Sequence, residues 1–113
     1  MEFFKRAHLD ERIEGVVGDA LEIIDRYPGP FDIIFNDIDK EDYPKAFKKA
    51  IPKLKKGGLF ISDNALWFGS VVARGDRPDV VGVQEFNRLS FKGEDLYTTI
   101  LPLRDGVAVS LKL

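Results

Sequence analysis

The chain has 113 residues, 44% hydrophobic and 32% charged, with a formal net charge of -2 and no cysteine. That length holds one globular domain at most, and the missing cysteines exclude disulfides, thiolate metal sites and cysteine nucleophiles. The small net charge gives no general pull toward nucleic acid or an anionic membrane, and no apolar run nears the roughly 20 residues that span a bilayer. The start, Met1-Glu2-Phe3-Phe4-Lys5-Arg6, is too charged for a signal peptide, so a cytoplasmic location without membrane contact is expected.

Glu2 to Ala7 reads as the tail of a short helix, with Lys5 and Arg6 near its C-terminal end, where cations suit the helix dipole. Ile13 to Val17 predicts a short strand. Gly18-Asp19-Ala20 turns the chain into a brief helix, Leu21 to Asp25, which Pro28-Gly29-Pro30 stops. Phe31 to Phe35 is a β-branched and aromatic run that predicts a buried strand, and it leads straight into Asn36-Asp37-Ile38-Asp39-Lys40. Glu41 to Lys56 predicts the clearest helix: Tyr43, Ala46, Phe47, Ala50 and Leu54 share one face, Pro44 suits the first turn, and Gly57-Gly58 ends it. Pro52 removes a hydrogen bond to residue 48 and is expected to kink or tighten the last turn. The lysines crowding this element read as a solvated face, since no aromatic residues interleave with them as a nucleic-acid surface would require.

Leu59-Phe60-Ile61 predicts the next strand, which runs into Ser62-Asp63-Asn64. Ser70 to Pro78 has loop composition. Val80, Val83, Phe86 and Leu89 predict a helix ending near Gly93. Two final strands, Leu96–Leu101 and Val107–Leu113, flank Asp105-Gly106, a hairpin signal. The order β-α-β-α-β-α-β-β predicts an α/β fold: a mostly parallel sheet closed by a C-terminal antiparallel hairpin, with helices on both faces.

Open α/β sheets place their ligands at the carboxyl edge of the strands. If the strands at 31–35 and 59–61 are neighbours, their ends lie about 5 Å apart and bring Asp37, Asp63 and Asn64 together. Three oxygen donors with positions left open suit Mg²⁺. Lys40, three residues after Asp37, reaches the same place from the following turn, and a cation beside it would disfavour its ammonium form and make it a better general base. Asp39 points away from Asp37 and is free for another ligand. Taken singly, each residue has a plainer reading: Asp37 as a cap, Asp63-Asn64 as an Asx-turn, Lys40 as a surface lysine.

The segment Phe31 to Tyr43, and then Leu54-Lys55-Lys56-Gly57-Gly58-Leu59-Phe60-Ile61-Ser62-Asp63-Asn64-Ala65-Leu66-Trp67, resembles the cation-dependent O-methyltransferases of the caffeoyl-CoA and catechol type and their bacterial relatives. Asp10-Glu11-Arg12-Ile13, Gly18-Asp19-Ala20, Glu85-Phe86-Asn87 and Leu101-Pro102-Leu103-Arg104-Asp105-Gly106 match further segments of that family in the same order. The resemblance implies a Rossmann-like methyltransferase sheet and transfer of a methyl group from S-adenosylmethionine to a metal-bound hydroxyl. By position, Asp37, Asp63 and Asn64 would hold Mg²⁺ (or Mn²⁺ or Ca²⁺), Asp37 would also touch the acceptor, and Lys40 would take the proton. Asp39 would contact the cofactor, with Ala20 beside its adenine. The acceptor would be a small hydroxyl compound, catechol-like or caffeoyl-CoA-like, or a hydroxylated nucleoside in tRNA.

Three departures accompany the match. No Gly-x-Gly occurs, so the family's glycine-rich cofactor loop has no counterpart, and the chain is expected to be the C-terminal part of the fold. Asn36 stands where the family carries an apolar strand residue, and Phe68 replaces a small or polar residue beside the tryptophan. An incomplete sheet is expected to expose an edge and to form a homo-oligomer, a dimer in the simplest case. Two alternatives accompany the enzyme reading: a non-enzymatic remnant that binds metal or protein, and a phosphoryl-transfer domain suggested by Asp37-Ile38-Asp39 after an apolar strand. The second lacks the Gly and Thr of the phosphatase motif and the late Lys-Pro of receivers.

Overall fold

The computed structural model describes all of residues 1–113. Its helices are α1 (Glu2–Arg6), α2 (Ala20–Ile23), α3 (Tyr43–Ala50) and α4 (Pro78–Lys92), and its strands are β1 (Phe31–Asn36), β2 (Leu54–Ser62), β3 (Leu96–Leu101) and β4 (Val107–Lys112). The strands form one sheet in the order β1-β2-β4-β3. Only β1 and β2 pair in parallel; β4 runs antiparallel to both β2 and β3. The sheet is therefore mixed rather than mostly parallel, because the final hairpin supplies two of its strands and inserts β4 beside β2.

The predicted strand at Ile13 to Val17 does not form. Residues 13–17 have no regular structure; Val17 is fully exposed and Val16 nearly half exposed, so the β-branched run finds no partner to pair with. The predicted helix from Glu41 to Lys56 is much shorter. It opens with a 3₁₀ turn at Lys40–Asp42, is α-helical only over Tyr43–Ala50, and ends in a 3₁₀ turn at Ile51–Lys53 that contains Pro52. Proline stops the helix by withdrawing a donor and crowding the preceding turn. Leu54 to Gly58 then belongs to β2: Phe31 pairs with Leu54 and Ile33 with Leu59, so an irregularity in the ladder absorbs Lys55 to Gly58. The two glycines serve this bulge rather than a helix cap. Gly57 has φ +79, and a Cβ on Gly58 would meet the carbonyl oxygens of Lys55, Asp32 and Phe31.

One face of the sheet is packed. Tyr43, Phe47 and Ala50 of α3 and Val83 and Phe86 of α4 lie over Phe60 and Ala108, with Ile34, Leu96 and Ile100 at the margin. Phe86 is the hub, edge-on to Tyr43 at 5.4 Å and to Phe47 at 5.9 Å between ring centroids. Each such ring removes enough apolar area from water to contribute about 1.5–3 kcal/mol. The other face carries no helix, contrary to the expectation of helices on both faces. Ile33, Phe35 and Tyr97 there are 57%, 62% and 68% exposed. The period of two along each strand puts these side chains opposite the packed ones.

Candidate active site at the carboxyl ends of β1 and β2

Parallel pairing of β1 with β2 matches Asn36 to Ser62 at their last residues, so Asp37 and Asp63 leave the sheet side by side. Two contacts lock this register. The buried Asn36 donates from Nδ2 to Ser62 Oγ at 3.1 Å, and the Asp63 amide donates to the Asn36 carbonyl at 3.2 Å. Asn36 thus stands in the core with its amide satisfied by a partner one strand away, which is how a polar residue is tolerated at an apolar position.

Lys40 follows on the 3₁₀ turn and folds back over the strand end. Its ammonium donates to Asp37 Oδ1 at 2.9 Å, to the Ile38 carbonyl at 3.2 Å and to the Tyr43 hydroxyl at 2.7 Å. It also lies 4.6 Å from the Tyr43 ring centroid and 5.5 Å from that of Trp67. With 10% of its side chain exposed, it is no surface lysine. Tyr43 in turn donates to the Asp63 carbonyl at 2.8 Å, tying the lysine turn to the end of β2. Gly82 of α4 permits this arrangement, since a Cβ there would collide with the Lys40 carbonyl oxygen and Glu41 Cα.

Burial works to lower the Lys40 pKa, but hydrogen bonds to Tyr43 and Asp37 outweigh it and lift the value above that of an ordinary lysine. The sequence expectation of a disfavoured ammonium belonged to a site with a cation beside it; the protein alone holds the ammonium firmly. Burial raises the Tyr43 pKa, and the neighbouring ammonium offsets part of that rise.

Asp63 Oδ1 accepts the Asn64 amide at 2.7 Å, and Asn64 adopts φ +58, a left-handed conformation that asparagine tolerates better than most residues. The Asn64 side chain donates from Nδ2 to Asp105 Oδ2 at 2.9 Å, and no protein group donates to its Oδ1. No three His, Cys, Asp or Glu side chains in the chain cluster as a metal site. A cation at the strand ends would therefore need two carboxylates, Asp37 and Asp63, together with the amide oxygen of Asn64. That donor set is all hard oxygen, and the free Asn64 Oδ1 is the atom it requires, so the residues fit Mg²⁺, Mn²⁺ or Ca²⁺.

Three cavities meet here. One of about 540 Å³ is lined by Asp37, Lys40, Asn64, Trp67 and Asp79, among others. A second, of about 370 Å³, brings Ala20 and Asp39 together with Gly18, Asp19 and Asp42; Ala20 opens α2, whose cap Asp19 accepts the Leu21 amide at 2.8 Å. Ile38 and Asp39 border both cavities. The third, of about 660 Å³, has Asp63, Asn64 and Asp105 on one side and Leu66, Phe68, Val71 and Val72 on the other.

The sequence gives no site role to Tyr43, Trp67, Arg77, Asp79 or Asp105, all of which the structure places in this neighbourhood. Tyr43 was read as core, which its ring is, while its hydroxyl reaches the site; its place three residues after Lys40 was the available signal. Trp67 donates its indole N–H to Asp79 Oδ2 at 2.8 Å, and Arg77 donates to the same oxygen at 2.7 Å. The Trp67 hydrogen bond is the main reason the Asp79 pKa falls below the carboxylate norm, with burial opposing it and the Val80 amide and Arg77 adding to it. The sequence marks Asp105 as a hairpin turn within a family-like segment but gives it no role at the site. Its contact with Asn64 spans 41 positions of sequence and leaves no local pattern.

The family model described as O-methyltransferase matches residues 1–113. Caffeoyl-CoA O-methyltransferase 2 of Populus trichocarpa is 34% identical over 122 aligned residues, covering 96% of this chain and 49% of its own length. The Petunia hybrida caffeoyl-CoA O-methyltransferase 2 is 42% identical, with 96% and 50% covered. Among solved structures, an O-methyltransferase from Bacillus cereus in complex with SAH superposes with a TM-score of 0.89 at 27% identity, covering 99% of this chain and 56% of the other. The chain spans about half the length of the relatives it matches. No helix is long and apolar enough to cross a membrane. On these matches, which run through the strand ends just described, the chain belongs to the O-methyltransferase family.

Proposed function

We propose that this chain serves S-adenosylmethionine-dependent methyl transfer to the hydroxyl of a small-molecule acceptor, with a divalent cation held by Asp37, Asp63 and Asn64. The observation that carries the reading is the juxtaposition of those three oxygen donors with the partly buried Lys40 ammonium at the ends of two parallel strands. The cavity containing Ala20 and Asp39 is the place for the cofactor. The third cavity, with an apolar wall at Leu66, Phe68, Val71 and Val72, suits an aromatic acceptor such as a catechol or a caffeoyl thioester better than a nucleoside of tRNA.

When bound, the cation supplies a Lewis acid that lowers the pKa of the acceptor hydroxyl. The remaining chemistry is placement. With S-adenosylmethionine bound, the hydroxyl oxygen would bond to the methyl carbon as the carbon–sulfur bond breaks, the electron pair staying on sulfur, to give a methyl ether and S-adenosylhomocysteine. Lys40 Nζ would take the hydroxyl proton only as the amine, a form the protein alone disfavours and a cation at the strand ends would favour. Tyr43 and the Ile38 carbonyl keep Nζ aimed at the strand ends, and the Trp67 ring shields it from water.

Calorimetric titration of Mg²⁺ into the chain, followed by S-adenosylhomocysteine in excess Mg²⁺, tests this. Wild type and Lys40→Ala should bind the metal alike, and Asp63→Ala should lose it. Equal affinity in wild type and Asp63→Ala would remove the proposed metal site. Metal binding without S-adenosylhomocysteine binding would favour the metal-binding-module reading instead.

A further inference from the structure

We propose that Asp105 is a positioning residue that turns the Asn64 amide so that its oxygen, not its nitrogen, faces a cation at the strand ends; this rests on the reading of Asn64 as a ligand. The two termini of a carboxamide differ only in chemistry: the oxygen can ligate a hard cation, and the NH₂ cannot. Which one faces the site is decided by what the other end meets. Asp105 can only accept, so its Oδ2, 2.9 Å from Asn64 Nδ2, selects the NH₂ and leaves Oδ1 unpartnered.

The carboxylate is itself held in place. Its other oxygen accepts the Phe68 amide at 2.7 Å, and its backbone carbonyl accepts the Leu66 amide at 3.0 Å. The next residue, Gly106, accepts the Ala65 amide at 2.9 Å through its own carbonyl and has φ +79 at the hairpin turn. The hairpin between β3 and β4 therefore grips the whole 64–68 segment. That segment needs the grip: Asn64, Trp67 and Phe68 all have positive φ, at 58, 45 and 55 degrees, a conformation non-glycine residues keep only when their surroundings impose it. Partners behind a metal ligand that fix its orientation commonly carry a tenfold to hundredfold share of metal affinity.

Mn²⁺ titration, followed by calorimetry and by electron paramagnetic resonance of the free ion, separates positioning from charge. Asp105→Ala should weaken Mn²⁺ binding by about tenfold or more. Asp105→Asn, whose one amide oxygen can serve Asn64 Nδ2 or the Phe68 amide but not both, should fall between wild type and Asp105→Ala. Asp105→Glu, which keeps the charge and displaces it by a methylene, should resemble Asp105→Ala and stands in for it if that variant melts too early to assay. In an Asn64→Ala background, Asp105→Ala should cost nothing further. The proposal is overturned if Asp105→Ala and Asp105→Glu both bind as wild type, or if Asp105→Asn falls as far as they do. Failure of wild type to bind Mn²⁺ would instead overturn the metal reading on which it stands.

Discussion

The helix-covered face of the sheet and the rim at its carboxyl ends are built on different principles. The face is held by area: Phe86, Phe60, Phe47 and Val83 interlock, and no single contact decides the arrangement. The rim is held by direction, through a few hydrogen bonds donated by Lys40, Tyr43 and Asn64, the last accepted by Asp105, each linking segments far apart in sequence or turning the chain sharply. Area is forgiving of geometry and costly to delete; directed bonds are cheap to delete but fix atoms. The sharpest test of the first half is Phe86→Ala. Removing a fully buried ring from the hub should lower the unfolding free energy by about 3–5 kcal/mol in urea denaturation. A loss below about 1 kcal/mol would show that the face can collapse around the vacancy and that the contrast is overdrawn.

The two regions touch at Gly82. Alanine is a better helix former than glycine by about 1 kcal/mol, which alone would stabilise α4. The added Cβ, however, has nowhere to go, because backbone atoms of Lys40 and Glu41 fill the space. Overpacking of this kind costs about 1–3 kcal/mol, so Gly82→Ala should be destabilising on balance, with α4 or the lysine turn displaced. The expected result is a lower melting temperature together with altered emission from Trp67, the single tryptophan, whose ring sits beside Lys40. A variant more stable than wild type would mean that the rim yields to the face without resistance.

Much of the rim was legible in the sequence because strand ends announce themselves: an apolar run that stops at Asp37, another that stops at Asp63-Asn64, and a lysine one turn on. The apolar spacing of Tyr43, Phe47, Val83 and Phe86 likewise pointed to the packed face. What failed was decided by pairing. Ile13 to Val17 has strand composition but no neighbour, and Leu54 to Gly58 continues a helical-looking lysine run yet is taken by the ladder with β1. Pro52 was the visible warning. Tyr43 and Asp105 were hidden because their polar atoms meet partners that only the folded chain brings near. The bare face was hidden too: Ile33, Phe35 and Tyr97 alternate as buried residues would, and composition does not tell a covered apolar face from an uncovered one.

The smallest expected effect separates the regions by pH. The packed sheet face has no carboxylate among its core residues, whereas Asp79 at the rim accepts the Trp67 indole and an Arg77 guanidinium group. These bonds depress the Asp79 pKa in the folded protein. A depressed carboxylate contributes stability that is fully present above its unfolded pKa and is lost as pH falls through the lower folded value. Because Asp79 is only partly buried, with 30% of its side chain exposed, the contribution is slight, and global unfolding is a poor gauge of it. Trp67 emission is a better one, since its N–H loses its acceptor when Asp79 is protonated. Acid titration should give an emission step below the ordinary carboxylate range near pH 4, absent in Asp79→Asn, before far-ultraviolet circular dichroism changes. Simultaneous loss of both signals would mean that rim and face melt as one unit, and a step at the ordinary carboxylate pKa would mean that the indole contact does not persist in solution.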